Sequence, residues 1–451
     1  MNYEGSVRSL LALGRELAAP QQARVQKFGL ENISALAADL GNPHRAIPCA
    51  HIAGTNGKGS TAAILESILR DAGLRTGLYT SPHLERINER IRLNGEPVSD
   101  EIFAAAWTRV HASIESLMAS GKLTAHPTYF ECVTAMAFLI FAEQSVDFAI
   151  YEVGLGGRLD STNIVTPEVA IITPIDFDHE NFLGHSIAEI AAEKAGIIKP
   201  GVTVVSSVTR PEARSVIAHK CVDMRARLAQ IDEEWRLKEM PSSEGSHRAL
   251  AISKDSRSKL AIAPALPGRF QLRNALAAAT AARVLSESRQ YRIEERNIER
   301  GVANVKWPGR LERLSENPTI YLDGAHNPSG ARELLEFWQR DLASRRIILV
   351  YGAMRDKAVD EIAGVLFPHA HNVILTEPRQ PRAISVSLLS EMTAHLASRR
   401  PTIIRDPLQA FDYAVEIARD NDALVVAGSL YLVGDLRSHW RNRTLATQVR
   451  P

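Results

Sequence analysis

The stretch His51-Ile-Ala-Gly-Thr-Asn-Gly-Lys-Gly-Ser60 constrains this chain more than any other. The apolar run 46–53 enters it and reads as a buried strand. A helical pattern leaves it, with Ala62, Leu65, Ile68, Leu69 and Ala72 three or four residues apart on one face. Strand, glycine turn and helix together hold a polyphosphate, because glycines let backbone N–H groups close on phosphate oxygens and the helix N-terminus adds partial positive charge. Lys58 then reaches the β- and γ-phosphates, and the Ser60 hydroxyl lies near the metal position. The strict G-x-x-x-x-G-K-[ST] pattern is not met, since Gly59 stands between Lys58 and Ser60. A glycine turn with an exposed lysine is the plain alternative; the strand before it and the helix after it favour a phosphate loop.

At 451 residues the chain is long enough for two or three domains with proper cores. A formal net charge of +1 supplies no bulk attraction to nucleic acid or an anionic membrane. Cys49, Cys132 and Cys221 are scattered in apolar surroundings, as reduced core thiols are, with neither a disulfide frame nor zinc-ligand spacing. The N-terminal residues lack a signal-peptide pattern and no apolar run is long enough to span a bilayer. The expectation is a cytoplasmic monomer working on small molecules, without nucleic-acid or membrane partners.

Residues 1–45 read as helical. Beyond the phosphate loop, strand patterns at 75–79, 147–153, 169–173 and 202–206 alternate with helical patterns at 100–119, 130–143 and 186–198. That alternation predicts an α/β fold with a parallel, doubly wound sheet. The 225–265 region changes character and suggests peripheral strands or an irregular insertion. Helices are expected over 271–285 and 294–304, after which Trp307-Pro-Gly-Arg310 breaks the pattern and marks a hinge. From 319 a smaller, Rossmann-like unit begins, with strands at 319–322, 346–351, 372–375, 402–405 and 423–427. It carries Asp323-Gly-Ala-His-Asn-Pro328 in place of a G-x-G-x-x-G fingerprint, which argues against a dinucleotide cofactor. The predicted domains are 1–305 and 306–451.

Ligands of doubly wound sheets collect outside the carboxyl ends of the strands. After the second strand of the larger domain comes Ser81, after the third Glu152, and after the fourth Asp176-Phe-Asp-His179. Ser81, Glu152 and His179 would surround the phosphates, and oxygen ligands suit Mg²⁺, which keeps waters and bridges phosphate oxygens. Each has a plainer role: a turn cap, a partner for Arg158, a satisfied polar residue. Gly154, Gly156 and Gly157 form a second glycine turn that is either a tight crossover or a way for Leu159-Asp160-Ser161 to approach a ligand. In Thr128-Tyr-Phe-Glu131 the two aromatics either pack in the core or stack on a planar ring.

Together these segments closely resemble the folylpolyglutamate synthase/dihydrofolate synthase family of the Mur ligase superfamily. The matching stretches are Gly54 to Ser60, Ser81-Pro-His-Leu84, Glu152-Val-Gly-Leu-Gly-Gly-Arg-Leu-Asp160, Glu193-Lys-Ala-Gly196 and Asp323 to Pro328. The resemblance implies a Mur-type P-loop ATPase domain followed by a Rossmann-like ligase domain. It implies addition of L-glutamate to dihydropteroate, to reduced folates, or to both, using ATP and Mg²⁺ at two sites and passing through an acyl phosphate. On the family pattern Thr55, Asn56, Gly57, Lys58, Gly59 and Ser60 hold the phosphates, and Asn274, Arg310 and Asp323 contact ATP. Ser81, Glu152 and His179 bind the metal, and Lys194 becomes a carbamate that serves a second Mg²⁺. Phe28, Gly29, Leu30, Thr128, Tyr129, Phe130, Glu131, Leu159, Asp160 and Ser161 match pterin-side contacts. His326 and Ser429 match residues that handle glutamate or the γ-phosphate. Lys58, His179, Lys194 and His326 are the expected catalytic set. A Mur-type ligase acting on a cell-wall precursor is the alternative.

Overall fold

The structure, a computed structural model, describes residues 1–14, 29–241, 244–288, 290–396 and 399–448. Its first sheet contains β1 (Cys49–Ala53), β2 (Thr76–Tyr79), β3 (Ile91–Leu93), β4 (Glu96–Pro97), β5 (Phe148–Glu152), β6 (Val169–Ile172), β7 (Thr203–Ser206) and β8 (Leu228–Gln230). The order is β4-β3-β2-β5-β1-β6-β7-β8, parallel from β2 to β8, with β3 and β4 added antiparallel at one edge. Helices cover both faces, so the inner strands are apolar along their whole length instead of alternating. Ala50, Ile52 and Ile150 join one core layer with the helices Lys58–Asp71 and Phe270–Glu287. Cys49, Ala149 and Tyr151 join the opposite layer with the helices Asp100–Ala119 and Tyr129–Glu143.

Register positions the site. Tyr79 pairs with Tyr151, Ile52 with Glu152, and Ala53 with Ile172. The carboxyl ends of β2, β5, β1 and β6 therefore finish at one level, and the segments carrying Ser81, Glu152, the phosphate loop and Asp176–His179 leave from a single edge. β1 lies between β5 and β6, which surrounds the loop with strand ends on both sides.

The 225–265 region resolves into β8, at the edge of the first sheet, and a separate antiparallel sheet of β9 (Trp235–Glu239), β10 (Ala249–Ser253) and β11 (Lys259–Ile262). The remaining sheet, β12 (Glu312–Glu316), β13 (Thr319–Leu322), β14 (Arg346–Tyr351), β15 (Asn372–Leu375), β16 (Thr402–Ile403) and β17 (Asp422–Ala427), has the order β12-β13-β17-β14-β15-β16. Only β12 runs antiparallel to its neighbour. The strand expected over 402–405 is shorter, and β3, β4 and β12 are additions to the sequence reading. The helical reading of 1–45 corresponds to Tyr3–Ala12 and Glu31–Asp39, while 15–28 lies outside the described residues. No described helix is long and apolar enough to cross a membrane.

Candidate active site

Gly57 caps the helix Lys58–Asp71 with left-handed backbone at φ 83°, where a side chain would be strained and would meet the Asn274 amide. The loop is tied down before any ligand arrives. The N–H groups of Thr55 and Asn56 donate to the Pro174 carbonyl at 2.9 and 3.3 Å. The Thr55 hydroxyl donates to the Asp176 carbonyl at 2.9 Å and accepts from the Asp176 N–H at 3.1 Å. The first helical turn, Lys58 to Ser60, then offers its N–H groups to an anion. Lys58 Nζ donates to the carbonyls of Gly54 and Thr55 at 3.1 and 3.2 Å. Burial pulls its pKa down, opposed by Glu152 and Asp178.

Lys194 addresses the same Gly54 carbonyl. It lies in the last turn of the helix Ile187–Ala195, is 4% exposed, and donates from Nζ to Gly54 O at 2.8 Å. Burial, and then the Lys58 ammonium, bring its amine down to about 7. A glycine turn brings this helix in: Arg158 N–H donates to the Glu193 carbonyl at 2.8 Å.

Glu152 ends β5 with its side chain buried, and Ser81 N–H donates to its Oε2 at 3.2 Å. Burial raises its pKa, and the Lys58 charge opposes that rise. Asp178 receives Lys357 Nζ on Oδ1 at 2.9 Å and Asn327 Nδ2 on Oδ2 at 3.2 Å. Burial works against its ionisation, yet Lys357 and the two neighbouring histidines hold the carboxyl well below the usual range. His179 Nε2 lies 3.2 Å from Lys357 Nζ, so it accepts from that ammonium. His326 Nδ1 lies 2.7 Å from the Gly324 carbonyl, which can only accept, so Nδ1 carries the proton and Nε2 keeps a lone pair. Burial and then Lys357 lower both imidazoles to about 4.

The sheet of the second unit supplies the other wall. Asp323 comes just after β13, is buried, and accepts the N–H groups of Leu311 and Ala325, each at 2.9 Å. Burial raises its pKa and lowers that of Arg310, and each charge opposes the other's shift. Asn274 donates to Gln271 Oε1 at 2.9 Å, and Ser429, after β17, accepts the Tyr431 N–H at 3.2 Å. The phosphate loop, Glu152, Lys194, Arg310, Asp323 and Ser429 all line one cavity of about 1090 Å³.

The expected pterin contacts divide. Thr128 and Glu131 form a reciprocal cap on the helix Tyr129–Glu143, with the Thr128 N–H and hydroxyl both donating to Glu131 Oε2 at 2.8 Å. Tyr129 is buried against the core, with the Arg90 guanidinium 5.5 Å from its ring centre, and it lines the cavity together with Thr128, Glu131 and Phe130, which packs at Gly154. Asp160 accepts the N–H groups of Gly154, Leu155 and Thr162, and Ser161 Oγ lies 2.8 Å from Thr134 Oγ1. Those two side chains hold the turn, and they line the cavity together with Leu159. Gly29 also lines the cavity, Leu30 precedes the helix Glu31–Asp39 and packs on the core, and Phe28 lies outside the described residues.

Three residues of the site were not expected from sequence. Asp178 and Asn327 stand inside segments that the strand-end rule and the family pattern single out, but beside histidines that drew the assignment. Lys357 stands in no motif; the strand-end rule applied to β14 finds it, as it finds Ser429 after β17. Among the described residues no group of three or more His, Cys, Asp or Glu could hold a metal ion. A magnesium ion here would complete its shell with phosphate oxygens and water.

Residues 52–282 match the Mur ligase middle domain and 309–430 the Mur ligase glutamate ligase domain. A dihydrofolate synthase/folylpolyglutamate synthase from Bacillus subtilis is 37% identical over 415 residues, covering 91% of this chain and 94% of the relative. The Mycobacterium tuberculosis folylpolyglutamate synthase complexed with ADP and AMPPCP superposes with a TM-score of 0.87 at 31% identity, over 96% of this chain and 99% of that one. E. coli FolC in complex with DHPP and ADP superposes with a TM-score of 0.85 at 29% identity, over 98% of this chain and 99% of that one.

Proposed function

The chain belongs to the folylpolyglutamate synthase/dihydrofolate synthase family of the Mur ligases, and from that premise we infer how its site carries out glutamate ligation. It is an ADP-forming ligase that uses ATP to join L-glutamate to a pteroate or folate carboxylate. The reading rests on one observation above all: phosphate-holding groups from the first sheet and Arg310, Asp323 and Ser429 from the second unit line a single cavity.

A carboxylate resists attack by an amine, so a carboxylate oxygen first attacks the γ-phosphorus and ADP leaves. The amine of glutamate then attacks the carbonyl carbon of the acyl phosphate, and the tetrahedral intermediate expels phosphate. The residues position these groups and stabilise charge. Lys58 gives up the Gly54 and Thr55 carbonyls to take phosphate oxygens. Glu152, Ser81 and His179 fit Mg²⁺, since Glu152 has a buried carboxylate and His179 a neutral imidazole whose Nε2 would exchange the Lys357 ammonium for the ion. Bound there, the ion would neutralise charge on the phosphates. Lys194, with an amine near neutrality in the cavity, is placed to react with CO₂ and become a carbamate serving a second Mg²⁺. His326 Nε2 can take a proton from the incoming ammonium of glutamate. Phe130 and Leu159 form the apolar wall for the pterin.

Both dihydropteroate and reduced folates are substrates on this reading. The domain boundary falls at 305/306, and the enzyme is a cytoplasmic monomer. Pure protein incubated with ATP, Mg²⁺ and glutamate should release ADP only when dihydropteroate or a reduced folate is added, and the product should gain one glutamate by mass. ADP release that requires a cell-wall precursor instead would overturn the assignment.

A further inference from the structure

Asn327 belongs to the Asp323–Pro328 segment, yet the ligase mechanism gives it no task. Its side chain is 2% exposed and makes contacts in two halves of the molecule. On its own side, Oδ1 accepts the Gly330 N–H at 2.8 Å and so caps the helix Pro328–Asp341. Across the cleft, Nδ2 donates to Asn56 Oδ1 at 2.9 Å and to Asp178 Oδ2 at 3.2 Å. Asn56 is in the phosphate loop and Asp178 precedes His179. One amide thus touches two of the first-domain segments that face the phosphates.

We propose that Asn327 is a positioning residue: its Nδ2 group sets the second domain in register against the phosphate loop, and turnover depends on that register. The chemistry requires an amide. The helix end needs an acceptor, while Asn56 and Asp178 offer oxygens that need a donor. A carboxylate could only accept, and a hydroxyl on a single carbon is too short to cap and to cross the cleft together. The Asn56 amide answers in kind, its own Nδ2 turning back toward Asn327 Oδ1 at 3.4 Å. The contact forms only when the domains are docked, so it reports docking to the loop that binds ATP. This inference deepens the ligase reading and rests on it.

The plain alternative is that Asn327 merely caps its helix. Serine caps about as well as asparagine, so Asn327→Ser separates the two roles. With Asn327→Ser the thermal midpoint should stay near that of the wild type, while kcat/KM for ATP falls about 10- to 100-fold, the range expected for losing buried hydrogen bonds. Asn56→Ala should lower kcat/KM similarly. The double variant should be no worse than the poorer single one, because both remove the same contact. Wild-type rates in Asn327→Ser, or losses that multiply in the double variant, would overturn the proposal. Failure of the ligase reading would show differently, as absence of glutamate-dependent turnover in the wild-type protein.

Discussion

Two ammonium groups converge on one oxygen, since Lys58 and Lys194 both donate to the Gly54 carbonyl. Burial lowers the pKa of each, and the Lys58 charge lowers that of Lys194 further. Carbamate formation needs the neutral amine, whose fraction rises as pH climbs through about 7. Turnover should therefore increase from about pH 6 to about pH 8 with added bicarbonate, and ¹³C-labelled CO₂ should give a carbamate resonance that Lys194→Ala lacks. Lys194→Ala should be nearly inactive and partly restored by a short carboxylic acid such as acetate. Lys194→Arg should fail, because guanidinium keeps the charge and forms no carbamate; wild-type rates in it would remove the carbamate from the mechanism. Glu152 makes a second residue-scale test. Glu152→Gln leaves the shape of the site but substitutes a weaker ligand for a hard cation. The Mg²⁺ concentration for half-maximal rate should rise about tenfold or more, and an unchanged Mg²⁺ titration would take Glu152 out of the metal site.

Among the elements, the glycine turn after β5 and the helix Ile187–Ala195 interlock. A Cβ at Gly157 would sit 2.8 Å from the Glu193 carbonyl oxygen and 3.1 Å from Lys194 Cα, both backbone atoms. Gly157→Ala must displace the end of the helix that holds Lys194, at a cost of about 1–3 kcal/mol. Its melting temperature should drop by several degrees and its carbamate resonance should weaken together with turnover. A resonance at full strength would show that the turn does not place Lys194. The sequence carried clear signals for elements of this kind. β1, β5, β6 and β14 read as strands because burial on both faces makes them apolar runs, and the polar residues at their carboxyl ends, with those after β2, pointed to Ser81, Glu152 and His179. β3 and β4 are too short to show a period, and β12, Glu-Arg-Leu-Ser-Glu, is a charged edge strand without an apolar run. The pairing of Asn327 with Asn56 spans 271 positions, and local composition holds no trace of it. The choice left open for Tyr129 and Phe130, core or cavity, has no local signature, because both rings pack on the core and both line the cavity.

At the scale of the whole molecule, ion pairs among the described residues join the two domains at the cleft, on the last helix and along the β9–β10 hairpin. At the cleft, Arg332 reaches Asp176 at 3.0 Å and Lys357 reaches Asp178. On the last helix, Arg437 bonds Glu85, in the loop after Ser81, and Glu312 of β12. The hairpin between β9 and β10 reaches across as well, with His247 3.1 Å from Asp341 and Glu239 3.1 Å from Arg340. The region that reads in sequence as peripheral strands or an irregular insertion is thus a strap between domains. The segment between the two matched domains contributes something else. Trp307 packs so near Gly59 that a Cβ there would lie 3.2 Å from the indole Nε1, and the Arg92 guanidinium stands 5.2 Å from the ring. This indole lies between a cation and the helical turn proposed to receive phosphate, which makes it a natural optical gauge. Adding ATP should change the protein's tryptophan emission, and Trp307→Phe should erase that change although Trp107, Trp235, Trp338 and Trp440 still emit. A response that survives the substitution would place the reporter elsewhere. If it disappears, the light from one ring times the arrival of nucleotide in the unlabelled enzyme.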